Sequence, residues 1–205
     1  MKIVHVRVGM ILLAASMLLG GCLNLGDASK APAVVYYVLS DSGPAAPATA
    51  AMPVPAPTLR VLDTTTGNFY GTEQLVFSRS PDTRGLYQYA RWTERPGKRL
   101  TELMRARLER EGRWNVSGGA SVRADWQLDT ELVEFYHDAT SEPGQVRLVL
   151  RAAVIDMRQR TVLGQRVFEQ QVPLERYDAA AAAQASSVAV SRLLDELTPW
   201  LASLK

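Results

Sequence analysis

Three long segments in the second half of the chain set what it can fold into. "ADWQLDTELVEFYH" (124–137), "QVRLVLRAAVIDM" (145–157) and "TVLGQRVFEQQVPL" (161–174) are rich in β-branched and aromatic residues with apolar positions alternating along them. That period of two marks strands. The last two are separated only by the turn-like "DMRQR", which reads as a hairpin. In the first, Trp126, Leu128 and Leu132 point inward, while Asp125, Asp129 and Glu131 share the opposite parity and form a polar face. The parity changes near Val133 and Phe135, which suggests a bulge or a strand passing to cover on both faces.

The remaining elements attach to that sheet. "VVYYVLS" (34–40), "TLRVLDTTT" (58–66), "EQLVFSRS" (73–80), "GLYQYARW" (85–92) and "RWNVSG" (113–118) read as further, shorter strands. Between the first two lies a stretch, 41–58, with Pro44, Pro47, Pro53, Pro55 and Pro57, which reads as an extended surface loop. Pro96 and Gly97 mark the start of a helix over roughly 98–111, with Leu100, Leu103, Met104 and Leu108 on one stripe and Gly112 at a left-handed C-cap. Asp178 caps a closing helix over about 179–204 that buries Val190, Leu193, Leu194, Leu197, Leu201 and Leu204. Pro199 is expected to kink that helix or end it early. The expectation is an α+β fold, a mostly antiparallel sheet with two main helices packed on one face.

The N-terminus points to a membrane. Lys2 and Arg7 precede the apolar run "VGMILLAASMLLGG", too short to span a bilayer and of the size of a secretory signal. It ends in Leu19-Gly20-Gly21-Cys22, which resembles the lipobox of bacterial lipoproteins, and Cys22 is the only cysteine in the chain. The resemblance implies cleavage before Cys22, a diacylglyceryl thioether on its sulfur and acylation of the new amine. Two or more acyl chains anchor stably where one does not. Leu23 stands where an aspartate would retain such a lipoprotein at the inner membrane, so the expected location is the outer membrane, facing the periplasm. The expected division is a signal peptide at 1–21, a lipidated tether at 22–33 and a single domain at 34–205. Residues 23–33, fully extended, reach at most about 35 Å.

Composition narrows the function. Without residues 1–21 the chain has 184 residues and loses Lys2 and Arg7, so 23 basic residues become 21 against 21 acidic ones. A neutral chain of this kind is a poor partner for nucleic acid. The basic cluster Lys98, Arg99, Arg105, Arg107, Arg110 and Arg113 is interleaved with Glu102, Glu109 and Glu111 and reads as a solvated helix face. Only one histidine, His137, follows the signal, and it reads as an exposed residue where a strand enters a turn. There is no G-x-S-x-G elbow, no phosphate-binding glycine motif and no cysteine–histidine set for zinc. The expectation is therefore a non-enzymatic protein with no cofactor and no metal.

The order of the pieces carries a resemblance. "YYVL" (36–39), "QLVFSRSPDTRGLYQYARW" (74–92), "ADWQLDTELVEF" (124–135) and "SSVAVSRLLDELTPWL" (186–201), behind a lipobox, resemble the ABC-type transport auxiliary lipoproteins, the lipoprotein component of MCE-type, paraquat-inducible-type envelope lipid transport systems. Arg79, Tyr89 and Trp92 match that family's R…Y…W pattern. The resemblance implies an accessory subunit that docks on an MCE-domain tunnel protein while phospholipid or another hydrophobic solute crosses the envelope. Tyr87, Tyr89 and Trp92 are candidate partner contacts, since aromatic residues are enriched at interface hot spots. Trp92 packed in the core, and Arg79 paired inside the fold, are the structural alternatives. An open sheet edge would suit a partner or a second copy. The alternative function is a free-standing lipoprotein holding an apolar ligand in its own cavity.

Overall fold

The computed structural model describes residues 32–43, 56–119 and 121–204. The expected signal peptide, Cys22 and most of the tether and of the Pro/Ala-rich stretch lie outside them. Residues Val34–Lys205 form one compact unit. Its elements are β1 (Val35–Tyr37), β2 (Thr58–Val61), β3 (Thr65–Thr66), β4 (Gln74–Ser78), β5 (Gly85–Trp92), α1 (Pro96–Glu111), β6 (Asn115–Ser117), β7 (Trp126–Asp138), β8 (Gln145–Asp156), β9 (Thr161–Pro173) and α2 (Ala179–Ser203).

The fold is α+β, and β7 is its spine. One edge of β7 pairs antiparallel with β8, which pairs antiparallel with β9. Along the other edge three short strands follow one another, all parallel to β7: β2 at Leu59–Val61, β3 at Thr65–Thr66 and β4 at Phe77–Ser78. Outside these lie β6 against β2, β5 antiparallel to β4, and β1 parallel to β5. The long pairs are antiparallel and the short ones mostly parallel. The expected bulge falls between Leu132 and Glu134.

One face of the sheet carries the core. Leu128, Leu132 and Phe135 of β7, Leu148, Leu150 and Val154 of β8 and Phe168 of β9 are buried with Leu100, Met104 and Leu108 of α1 and Val190, Leu193, Leu194, Leu197 and Leu201 of α2. The other face of the long strands is polar and cross-linked by ion pairs, Glu131 with Arg151 and Glu134 with Arg147. Opposite charges on neighbouring strands favour this register. Gly112 closes α1 in the left-handed region at φ 64°, and Asp178 caps α2 by accepting from the Ala181 N–H. No helix among the described residues is long and apolar enough to cross a membrane.

Several expectations need correction. Pro96 and Gly97 are the first residues of α1, where a proline needs no intrahelical partner. The 58–66 segment is interrupted: Thr64 turns inward, its Oγ1 bonded to Thr130 Oγ1 and its N–H donating to Thr101 Oγ1. These hydroxyls satisfy one another where a continuous strand would need a ladder. Pro199 does not end α2, which runs on to Ser203. The basic cluster is not all solvated. Arg107 is only 4 % exposed and its partner Asp41 only 2 %, and Asp41 belongs to the segment read as a bare surface loop.

Candidate functional site

The β4–β5 pair contains a large irregularity. Two steps along β4, from Gln74 to Val76, are matched by five along β5, from Arg91 back to Leu86. The surplus residues cannot all join the ladder. The five residues from Leu86 to Ala90 instead line one wall of a pocket of about 450 Å³. Tyr37 of β1, Phe77 and Arg79 from the end of β4, and Tyr177 and Ala179 at the start of α2 complete it. Such a volume is in the range of small-ligand pockets.

Its aromatic rings are fixed from below. The Tyr87 and Phe77 rings meet edge to face with centroids 5.2 Å apart. The Tyr87 hydroxyl lies 2.8 Å from Nδ1 of His137, and the His137 Nε2 lies 3.0 Å from the carbonyl oxygen of Pro143. A carbonyl only accepts, so Nε2 carries the proton and Nδ1 accepts from Tyr87. Burial pushes the imidazole pKa down, which keeps this tautomer neutral. Burial, reinforced by Tyr177 and Asp178, pushes the Tyr87 phenol up to about 12. His137 is thus a buried, 2 % exposed strand residue, not the exposed turn residue expected. The bulge at Val133 flips the parity of the strand end and carries the ring inside.

The sequence motif divides between the pocket and the core. Arg79 and Tyr89 come together at the pocket, Arg79 with its guanidinium 5.1 Å from the Phe77 ring centre. Among the described residues Arg79 has no carboxylate within ion-pair distance, so an internal pairing is not its role. Tyr89 is 37 % exposed. Trp92 is not at this surface: it is 3 % exposed and stacks on Phe135 at 5.8 Å, so a partner cannot touch it without opening the core. Leu86 and Tyr177 of the lining are exposed like Tyr89. Sequence reasoning missed Tyr37 and Tyr177, which stand 140 residues apart and meet only through the fold.

A second hollow of about 460 Å³ lies between the C-terminal ends of the two helices, beside Arg107, Arg113, Trp114 and Asp195. It has the weaker claim, because Arg107 there is already engaged by Asp41 and Asp195. Among the described residues no three His, Cys, Asp or Glu side chains gather into a metal site.

A model of the family described as the ABC-type transport auxiliary lipoprotein component matches residues 37–198. No curated protein matches the chain. Protein XCC0632 from Xanthomonas campestris is similar in structure with a TM-score of 0.71 at 20 % identity, covering 82 % of this chain and 94 % of that one. An uncharacterized protein of solved structure aligns with a TM-score of 0.65 at 13 % identity, covering 83 % of this chain and 99 % of its own. The hypothetical protein CT253 from Chlamydia trachomatis aligns with a TM-score of 0.50 at 12 % identity, covering 71 % and 96 %. At these identities the likeness is one of fold alone.

Proposed function

Because the chain belongs to the ABC-type transport auxiliary lipoprotein family, we propose that it is an accessory subunit of an MCE-type envelope transport system, acting by docking and not by catalysis. It is held to the outer membrane by acylated Cys22 and faces the periplasm. Its partner is an MCE-domain tunnel protein, and the cargo is phospholipid or another hydrophobic solute. The observation that carries this reading is the patch where Arg79 and Tyr89 meet beside exposed Leu86 and Tyr177. A contiguous apolar patch with an arginine at its rim is the composition of a protein interface, and a folded monomer seldom exposes one without use. The free edge of β9, which among the described residues pairs only with β8, offers a place for a second copy.

The test is recovery of partners from gently solubilised envelopes with the full-length, lipidated chain as bait. An MCE-domain protein is expected with the native chain, and its recovery is expected to fall at least ten-fold with an Arg79→Glu, Tyr89→Ala double variant and with Cys22→Ala. Recovery of the native chain alone, or undiminished recovery with the double variant, would overturn the assignment of this patch.

A further inference from the structure

We infer that the pocket behind Arg79 is a binding site for one acyl chain bearing an anionic head group. The pocket is apolar where a chain would lie: Phe77, Leu86, Tyr37 and the ring faces of Tyr87 and Tyr177. Removing each methylene of a ligand from water at such a surface favours binding about four-fold. The deepest polar handle of this lining is already used. The Tyr87 hydroxyl is given to His137, so the floor presents a ring and no unsatisfied donor.

The charge at the pocket is one-sided. Arg79 lines it and no carboxylate of the described residues pairs with it. Its guanidinium is a five-donor fork suited to a carboxylate or phosphate. Asp178, whose charge is felt at Tyr87, is held by Arg176 and by the Ala181 N–H of the α2 cap. The first residue of α2, Ala179, also lines the pocket, behind a helix end that the Asp178 carboxylate already caps. A cationic amphiphile could use the aromatic faces but is repelled by Arg79, and a neutral one leaves the guanidinium without a counter-charge. An anionic amphiphile satisfies both halves of the site. Carboxylate and phosphate head groups share this chemistry, and the experiment separates them.

The site takes its physiological meaning from the transport reading, in which a chain lifted out of the membrane needs somewhere to rest. Its existence is tested without the partner. The full-length protein is placed in nanodiscs of zwitterionic lipid and exposed to four probes with the same photoactivatable chain: a fatty acid, an alkyl phosphate, an alcohol and a trimethylammonium. Labelled peptides are mapped by mass spectrometry. Labelling is expected to concentrate on residues 85–92 and on Tyr177, with the acid or the phosphate about five-fold ahead of the alcohol, as an exposed ion pair allows. The larger of the two names the head group. Arg79→Gln should bring the anionic probes down to the alcohol, and Leu86→Trp, at an exposed position, should fill the pocket and abolish labelling by all four. Equal labelling by anionic and cationic probes, or adducts spread over the surface unaffected by Leu86→Trp, would overturn the site. Pocket labelling without recovery of an MCE-domain protein would defeat the transport reading alone. Recovery of that protein with no pocket labelling would defeat the site alone.

Discussion

Arg107 of α1 grips Asp41 across 66 residues of sequence, Nε to Oδ2 at 2.9 Å and Nη2 to Oδ1 at 2.5 Å. The same arginine reaches Asp195 of α2 with Nη1 at 2.5 Å, and Arg110 adds a 2.8 Å contact to Asp41. Ser42 completes the cluster, its N–H donating to Ser191 Oγ at 2.8 Å. Arg107, together with the Ser42–Ser191 bond, thus joins the segment after β1 to both helices. Leaving a buried charge without its partner costs about 3 kcal/mol, whereas exchanging both partners for apolar residues costs far less. Asp41→Ala in the full-length chain leaves Arg107 only its exposed partner Asp195, and should lower the unfolding free energy by at most about 3 kcal/mol in urea titrations. An Asp41→Leu, Arg107→Met pair should recover more than half of that loss.

Acid sensitivity follows from the same carboxylate. Burial works against its charge, but the hydrogen bonds and charge of Arg107 and the Gly43 N–H outweigh it and hold the pKa of Asp41 below its ordinary 3.8. A depressed carboxyl contributes stability that is present above the unfolded value and lost as pH falls through the folded one. Unfolding followed between pH 5 and pH 2, at about one-unit steps, should show a loss below about pH 4. The Asp41→Leu, Arg107→Met protein should lose less over the same interval.

His137 adds a second window, nearer neutrality. Burial depresses its pKa from 6.5, so the unfolded chain takes up the proton first as pH falls. Stability from this residue is complete above 6.5 and declines as pH drops below it toward the folded value. His137→Gln should flatten the stability curve in that interval, measured as urea midpoints from about pH 7.5 to 5. A curve unchanged by the substitution would mean that His137 titrates alike in the folded and unfolded chain.

Two substitutions examine the floor of the pocket. Tyr87→Phe leaves the Nδ1 of His137 buried without a donor, at a cost of about 1–2 kcal/mol. Gly144 stands at φ 80°, and a β-carbon there would come within 2.3 Å of the Asp138 carbonyl oxygen and 2.6 Å of His137 Nε2. Gly144→Ala should cost about 2 kcal/mol or more and displace the imidazole. The displacement is readable as a changed His137 chemical shift.

Helix capping supplies a local control. Asp178→Ala removes the acceptor for the Ala181 N–H and should cost about 1 kcal/mol. Asp178→Asn keeps an acceptor and should cost less than half of that, measured by thermal unfolding.

What the sequence revealed was local. The β8–β9 hairpin followed from alternation over a dozen residues, α1 from the Leu100–Leu103–Met104–Leu108 stripe, and its end from Gly112. Each depends on neighbours a few positions away. The pocket depends on register: nothing in "GLYQYARW" announces that five of its steps face two of β4. His137 reads as a turn residue from its Asp, Ser, Pro and Gly neighbours, whereas β7 runs on through it past the bulge and its pairing with Val146 carries the ring inside. Arg107 looked solvated because its helix neighbours are charged, and only the return of Asp41 over α1 buries it. Arg79 and Tyr89 were singled out by resemblance, and their neighbourhood with Tyr37 and Tyr177 is a product of the sheet order.

The β1 segment has a mechanical side as well. It is three residues long, parallel to β5, and followed at once by the Asp41 clasp. A pull on the chain upstream of Val34 and directed along the strand loads those few sheet hydrogen bonds together, in shear, and then meets an ion pair seated between two helices. Tension is thereby passed into the α1–α2 layer. The β4–β5 hairpin that bears Arg79 and Tyr89 meets that line of force along β5, and Tyr37, one wall of the pocket, lies on the loaded strand itself, so tension on the chain and the shape of the aromatic pocket are mechanically coupled.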